Sequence, residues 1–398
     1  MFSLLLALIY ICFISLGLPD SLLGSAWPVL HVDIGVPMSY AGIISMVIFI
    51  GTIISSLMCD RVSRKLGSGL MTAVSVSLTA IALFGFSISH SFFMLILFAI
   101  PYGLGAGGVD AVLNNYVALH YKAQHMSWLH CFWGVGASIS PYIMSFSLVK
   151  LNSWSRGYLI VSIIQMCLCV FIFLSLPLWK KRGADSSENI DECIGEPLKI
   201  RDIISIKGAI FCFFMFFCYC SLELTTSLWA TSYLVESRGI GVNIASAFAS
   251  LFYIGITLGR AINGFLAMRF SDKTLIRVGM VIVTLGIILM FIPVEIFALS
   301  GFIIIGLGCA PIYPCIIHMT PDVFGRDKSQ AMIGIQMAFA YIGFCVMPPL
   351  FGVIAQYVSI KLLPLYLMII LVAMAMCHEI MIIKTKKGMG GIDEHSNR

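Results

Sequence analysis

Long apolar runs separated by short polar segments recur along the whole sequence. Each run has about the 20 residues that a helix needs to cross a bilayer. Because backbone inside lipid must satisfy its own hydrogen bonds, we expect these runs to be helices. The pattern predicts twelve spans, at 2–28, 39–59, 67–88, 92–120, 126–149, 156–178, 208–235, 243–268, 274–293, 296–320, 328–355 and 361–383.

One long polar segment interrupts this pattern near the middle of the chain and leaves six predicted spans on either side. The predicted fold class is therefore an all-α integral membrane protein with twelve transmembrane helices in two six-helix halves. The expected domains are an N-terminal bundle, a cytoplasmic linker, a C-terminal bundle and a cytoplasmic tail, at 1–179, 180–206, 207–384 and 385–398.

Lysine and arginine are distributed very unevenly between the two sides of these spans. Nineteen of the 24 basic residues lie on the side of the linker, four lie on the other side, and Arg260 falls inside a span. Cytoplasmic loops carry such an excess, so we expect both termini to be cytoplasmic and the protein to be multi-pass in the plasma membrane. The net charge of +5 then belongs to the cytoplasmic face, next to membrane lipid, and calls for no nucleic acid.

The composition argues against a soluble enzyme. Charged residues make up 11% of the chain, whereas soluble domains have about 25%. The 13 cysteines lie mostly in apolar runs without metal-binding spacing, so no metal and no cofactor are expected. The Gly103-x-Gly105-x-x-Gly108 pattern lies inside a span and is interpreted as a helix-packing motif, since a dinucleotide site would need a preceding strand.

An internal repeat supports the division into halves. Residues of the first half recur about 202 to 208 positions later, and four such matches follow one another in order. The matched sets are Ser56-x-x-x-Asp60-Arg61-x-Ser63-Arg64-Lys65 with Gly264-x-x-x-Met268-Arg269-x-Ser271-Asp272-Lys273, Gly103 and Gly105 with Gly306 and Gly308, Gly136 and Pro141 with Gly343 and Pro348, and Trp27 with Trp229.

Two six-helix halves, a cytoplasmic linker and this charged loop resemble the major facilitator superfamily, although Ser56 and Ser63 replace the usual glycines. The resemblance implies a monomeric transporter in which Asp60, Arg61, Arg64 and Lys65 form a gating loop. A narrower likeness to the fucose:proton symporter branch rests on Asp110 and Asn114, on Tyr219, Glu223 and Trp229, and on Phe252, Tyr253, Gly255, Gly259 and Arg260. That branch implies sugars or related polar solutes, imported with a proton.

Charged residues inside a bilayer are costly and are therefore functional candidates. Those well inside the predicted spans are Asp20, Asp110, Glu223 and Arg260. Pro19 interrupts the helical hydrogen bonds beside Asp20, which is typical of a discontinuous helix that lines a midplane site. Arg260 needs a partner, and the sequence leaves Glu223 and Asp110 open, with a purely structural ion pair as the alternative.

The resemblance implies that Asp110 and Asn114, which share one helical face, take part in proton coupling and substrate binding. We expect Asp110 to bind the proton, with Glu223 or Asp20 assisting, and a structural acid paired with a neighbour is the alternative for Asp110. Polar and aromatic residues of other spans suit a sugar, which has apolar CH faces and many hydroxyls. The predicted solute-binding residues are Asn114, His130, Trp133, Tyr219, Trp229, Tyr253, Asn263 and Gln336. Interfacial anchoring of the tryptophans and an interhelical hydrogen bond of His130 are the structural alternatives.

The leading hypothesis is a secondary active transporter that takes up a sugar or another small polar solute with protons, by alternating access. A proton-driven drug or metabolite exporter of the same fold is the alternative, since the chain has 22 methionines that suit hydrophobic cargo. A nutrient sensor that binds without translocating is a third hypothesis.

Overall fold

The computed structural model describes residues 4–37, 40–185 and 200–393, and all regular secondary structure in this part of the chain is helical. The elements are α1 (Leu4–Asp20), α2 (Leu22–Ile34), α3 (Ala41–Ser87), α4 (Phe92–His120), α5 (Ala123–Lys150), α6 (Trp154–Asp185), α7 (Ile200–Ile204), α8 (Ala209–Ser232), α9 (Val242–Leu266), α10 (Asp272–Phe291), α11 (Glu295–Cys309), α12 (Ile312–His318), α13 (Thr320–Phe324), α14 (Ser329–Ile354) and α15 (Leu363–Asp393). Short π or 3₁₀ turns cover Tyr233–Ser237, Ala355–Ser359 and Ile360–Leu362.

Within the described residues, nine helical stretches are long and apolar enough to cross a membrane. Two of them, Ala41–Ser87 with 47 residues and Ser329–Thr385 with 57, are each long enough for two crossings. A shorter apolar helix, Leu251–Leu266, supplies another crossing. Together these stretches match the twelve predicted spans.

The boundaries differ from the predicted ones at several polar segments. The charged segment at 60–66, which the sequence predicts to be a loop, is helical and continues α3 up to a break at Gly67, where φ is 75° and ψ is 157°. Glycine adopts this backbone conformation without steric cost. In addition, α6 extends six residues into the predicted linker and α15 extends into the predicted tail, while 186–199 and 394–398 lie outside the described residues.

Contacts between Cα atoms divide the chain into two compact units. The first contains Met1–Tyr116 and Leu129–Pro197, and the second contains Val117–Trp128 and Leu198–Arg398. The segment Val117–Trp128, which joins α4 to α5, thus packs with the C-terminal helices. In this second unit the Trp128 indole donates to the Ala261 carbonyl oxygen at 3.4 Å.

Prolines inside the first unit leave carbonyls that side chains of neighbouring helices satisfy. Pro19 has no N–H, so the Ser15 carbonyl four residues earlier loses its helical donor. The Gln165 amide of α6 donates to this oxygen at 2.8 Å. In the same way Pro141 frees the Ala137 carbonyl of α5, to which the Ser21 hydroxyl donates at 3.0 Å.

Repeat-related glycines make equivalent contacts in the two units. A Cβ atom on Gly103 would overlap the Ile48 carbonyl of α3, and one on Gly306 would overlap the Phe252 carbonyl of α9. The later pair behaves alike, since Gly136 packs on a carbonyl of α1 and Gly343 on a carbonyl of α8. The sequence repeat therefore corresponds to a repeated pattern of close helix contacts.

Candidate functional site

The first predicted span is broken at an acidic residue. Helix α1 ends at Asp20, Ser21 forms a turn, and α2 begins at Leu22. The Asp20 carboxylate is exposed and accepts two hydrogen bonds, from the Tyr102 hydroxyl at 3.2 Å and from the Trp133 indole at 2.9 Å. The Asp20 carboxylate of the broken helix is thus hydrogen bonded by α4 and α5, and it can still accept a hydrogen bond from a further partner.

A second acid of the same unit has a different environment. Asp110 of α4 is buried, and its Oδ1 accepts from the Asn114 amide at 2.8 Å. The Oδ1 of Asn114 in turn lies 3.0 Å from His130 Nε2 of α5. Asn114 is fully buried and His130 nearly so, which places both predicted solute-binding residues in the interior of the unit.

The glycines around Asp110 explain its close packing. Gly107 faces the Thr52 carbonyl and Gly108 the Ser75 hydroxyl, both of α3, at distances where a Cβ atom could not fit. Backbone therefore approaches backbone on this side of α4, and the acid lies among tightly packed helices rather than in lipid.

The second unit contains a buried ion pair. The Arg260 guanidinium of α9 lies 3.7 Å from the Glu223 carboxylate of α8, with 4% and 12% of the side chains exposed. The same guanidinium lies over the Tyr313 ring, 5.9 Å from its centroid. Of the two partners that the sequence left open for Arg260, the structure brings Glu223 to it.

The break between α11 and α12 contributes to this region. The chain leaves helical hydrogen bonding at Ala310 and Pro311, and the Cys309 carbonyl accepts from the Tyr219 hydroxyl at 3.1 Å. Tyr219 is fully buried and its ring meets Tyr313 edge to face at 5.9 Å. Tyr253 of α9 is 47% exposed and its hydroxyl hydrogen bonds to Ser227, so it is the most exposed of these three tyrosines.

Three other predicted solute-binding residues donate hydrogen bonds from side-chain N–H groups to neighbouring helices. The Trp229 indole donates to the Pro348 carbonyl at 3.0 Å. The Gln336 amide, fully buried, donates to Thr320 and Cys212. Asn263 donates to the Ser127 hydroxyl at 2.7 Å, and Ser127 belongs to the segment that packs with the second unit.

The predicted gating residues follow one another along α3. Arg64 donates to the Asp60 carboxylate at 3.0 Å, one helical turn away, while Arg61 and Lys65 are exposed. Asp60 itself is 6% exposed, and within the described residues its second carboxylate oxygen has no hydrogen-bond partner. The four residues therefore form a charged helical end with one buried acid.

The site contains residues that the sequence reasoning did not single out. Tyr102, Gln165 and Ser21 each complete the region around Asp20, and no charge or motif marks them. The proline rule offers a signal for two of them, because every proline in a span frees a carbonyl that a polar neighbour must satisfy. Among the described residues, no three His, Cys, Asp or Glu side chains form a metal-binding group.

A family model described as the Major Facilitator Superfamily matches residues 9–248 and 211–394. The chain belongs to the major facilitator superfamily. This membership confirms the predicted family, the all-α multi-pass membrane fold and the prediction that the chain is a transporter rather than an enzyme.

Two relatives align over most of the chain. The Saccharomyces cerevisiae "Bypass of stop codon protein 6" is 24% identical over 388 residues, covering 89% of this chain and 78% of its own. The Bacillus subtilis glucose/mannose transporter GlcP is 24% identical over 315 residues, covering 76% and 75%.

A solved structure of FucP in the outward conformation has a TM-score of 0.76 and is 15% identical in sequence. A second structure of FucP, the E. coli fucose:proton symporter, has a TM-score of 0.72 and is 17% identical. Each comparison covers 94% of this chain and 98% of that one. At this identity the likeness shows the fold, and it agrees with the predicted resemblance to the fucose:proton symporter branch.

Proposed function

We propose that this transporter imports a sugar or another small polar solute together with a proton, by alternating access. Asp110 binds the proton, and Asp20 is the acid that the solute reaches. Trp133 and Tyr102 hold the Asp20 carboxylate. In the second unit, taken by itself, Tyr253 is the exposed tyrosine that we assign to solute binding.

The observation that carries this proposal is the contrast between Asp20 and Asp110, two acids of the first unit. Asp20 is exposed and retains free lone pairs, so it suits hydrogen bonds from solute hydroxyls. Asp110 is buried with 5% exposure, where a permanent charge is costly and a bound proton removes that cost. One unit thus combines a group for the solute with a group for the coupling ion.

Two further facts favour a sugar. Trp133 presents an indole ring beside Asp20, and aromatic rings next to a hydrogen-bond acceptor match the apolar and hydroxyl faces of a sugar. In addition, related proteins carry the names of a glucose/mannose transporter and a fucose:proton symporter.

We assign the remaining predicted residues to the framework of the transporter. The Glu223–Arg260 pair carries no net charge and fixes α8 against α9. Tyr219, Trp229, Asn263 and Gln336 orient helices through their hydrogen bonds. Asp60, Arg61, Arg64 and Lys65 control the cytoplasmic end of α3. The excess of basic residues on that side supports a plasma-membrane protein with both termini in the cytoplasm. The transporter works as a monomer, from two halves at 1–179 and 207–384.

Uptake of labelled sugars into energised membrane vesicles tests the proposal. The panel contains D-glucose, D-mannose, L-fucose and a hexuronate, each measured with and without a proton uncoupler and against vesicles that lack the transporter. Accumulation that collapses on uncoupling supports proton-coupled import. Accumulation that is unaffected by the uncoupler but requires Na⁺ would overturn the proton as the coupling ion. If no sugar accumulates, the exporter hypothesis is favoured, and efflux from preloaded vesicles tests it.

A further inference from the structure

Three buried side chains of the first unit form a continuous hydrogen-bonded chain between α4 and α5. Asn114 Nδ2 lies 2.8 Å from Asp110 Oδ1, and Asn114 Oδ1 lies 3.0 Å from His130 Nε2. Their exposed fractions are 5%, 0% and 5% for Asp110, Asn114 and His130. The Asp110 carboxylate and the His130 imidazole are therefore linked by hydrogen bonds through the Asn114 amide.

The orientation of this amide is fixed by the backbone. The Asn114 amide atom that faces Asp110 also lies 3.0 Å from the Asp110 main-chain oxygen, which only accepts hydrogen bonds. That atom must be the nitrogen, so the amide oxygen faces His130. Both N–H groups of Asn114 are used by Asp110, and none is left for a solute.

The fixed amide also fixes the histidine. Because Asn114 presents an oxygen, His130 Nε2 must carry a hydrogen, and the imidazole takes up a second proton only at Nδ1. The imidazole ring packs nearly perpendicular to the Phe13 ring of α1, with 5.3 Å between the ring centroids. A flip of the Asn114 amide would break its bond to the Asp110 carbonyl, so the neutral imidazole has one tautomer here.

Three titratable side chains on the neighbouring helices α1 and α3 are Cys59, Asp60 and Asp20. Cys59 of α3 lies within electrostatic reach of Asp110. Asp60, the next residue, is bound by Arg64, and Asp20 of α1 is bound by Tyr102 and Trp133. His130 reaches Asp110 through a single side chain, that of Asn114.

We infer that His130 is a positioning residue of the proton site, which holds the Asn114 amide on the Asp110 carboxylate and so sets the pH at which Asp110 releases its proton. This inference rests on the proposed function only in taking Asp110 as the proton carrier. The hydrogen bond from His130 polarises the amide and strengthens its donation to the carboxylate. Loss of that bond weakens the stabilisation of the anion, so Asp110 keeps its proton to a higher pH.

Infrared titration of the purified full-length protein in lipid, without any solute, tests the inference. The carboxylic C=O band that Asp110→Asn removes reports the protonation of Asp110. We expect His130→Leu to move the midpoint of this band upward by about half a pH unit or more, roughly a threefold change. His130→Gln keeps an N–H donor for Asn114 and should stay close to the wild type.

A double variant separates the relay from a direct charge effect. In an Asn114→Leu background, His130→Leu should add nothing, because the connection is already cut. Three results would each overturn the inference. The midpoint could be the same in wild type and in a folded His130→Leu variant, the shifts could add in the double variant, or no band could be assigned to Asp110. These midpoints do not depend on the sugar panel, so the inference about His130 and the proposed sugar import can be disproved independently of each other.

Discussion

The side-chain amide of Gln165 donates a hydrogen bond to the main-chain oxygen of Ser15, at 2.8 Å. This oxygen is the one that Pro19 deprives of its helical donor, one residue before Asp20. Helix α6 therefore stabilises the broken helix that presents the accessible acid. A break in a span needs such a donor, because no water in the bilayer core is available to replace it.

We expect Gln165→Leu to destabilise the protein by about 1–2 kcal/mol, because the buried Ser15 carbonyl loses this side-chain donor. The solute affinity should fall as well, since the position of Asp20 depends on the break. Thermal unfolding in detergent and the KM for uptake measure the two effects.

Ser162→Ala is the matched control on the same helix. The Ser162 hydroxyl donates to the Ala80 carbonyl at 2.9 Å, so its loss also removes a buried interhelical bond. Stability should decrease while the KM stays unchanged. A Gln165→Leu variant with normal KM would contradict the link between Gln165 and the solute site.

Removing the indole N–H next to Asp20 should weaken solute binding. Trp133→Phe leaves the carboxylate without its shorter hydrogen bond, and a bond to a charged group contributes about 1.5–3 kcal/mol. We expect the KM to rise roughly tenfold or more, with little change in folding.

The same chemistry occurs elsewhere in the first unit and provides a control. The Trp154 indole donates to the Asp33 carboxylate at 2.8 Å. Trp154→Phe should leave the KM for uptake as it is. Equal effects of the two substitutions would show that Trp133 has no special place in solute binding.

Gly136 lies where α5 crosses α1, and a Cβ atom there would overlap the Ile14 carbonyl oxygen. Gly136→Val should separate the two helices and abolish the folded, monodisperse protein in size-exclusion chromatography. Gly24→Ala in α2 meets open space within 4 Å and should be harmless or slightly stabilising. A well-folded Gly136→Val protein would argue against the close contact of α1 and α5.

Breaking the Glu223–Arg260 pair should be strongly destabilising. Arg260→Met leaves a buried carboxylate without its cation, which costs about 3–5 kcal/mol. Adding Glu223→Gln should restore most of the loss in thermal unfolding. Arg277→Met breaks a pair whose members, Arg277 and Glu379, are 51% and 46% exposed, and should cost less than about 1 kcal/mol.

Much of the fold could be predicted from the sequence. A bilayer requires apolar spans of about 20 residues, and closely packed helices within it require small residues such as the repeated glycines. The offset between Gly103 and Gly306 corresponds to equivalent backbone contacts on Ile48 and Phe252. Pro19 predicts a discontinuous first span. In the structure α1 ends at Asp20, the residue after the proline, and α2 begins at Leu22. The charged segment at 60–66 was predicted less well, since helix α3 continues through it to Gly67.

The candidate site could be predicted only in part, because a sequence gives the face of a helix but not the neighbour of that face. The partner of Arg260 depends on the rotation of α8 against α9, which brings Glu223 to 3.7 Å. The Tyr102–Asp20 contact joins residues 82 positions apart without any motif. The resemblance to the fucose:proton symporter branch implies that Asn114 binds the solute, whereas its amide donates to Asp110 within the unit.

The central claim is that Asp110 carries the coupling proton. The most direct measurement is the solute-driven movement of protons into de-energised vesicles, recorded with a pH electrode for wild type and Asp110→Asn, beside counterflow of the same sugar. We predict proton entry with the sugar in wild type, and counterflow without proton entry or accumulation in Asp110→Asn. An Asp110→Asn protein that still draws in protons with the sugar and concentrates it against its gradient would contradict the account.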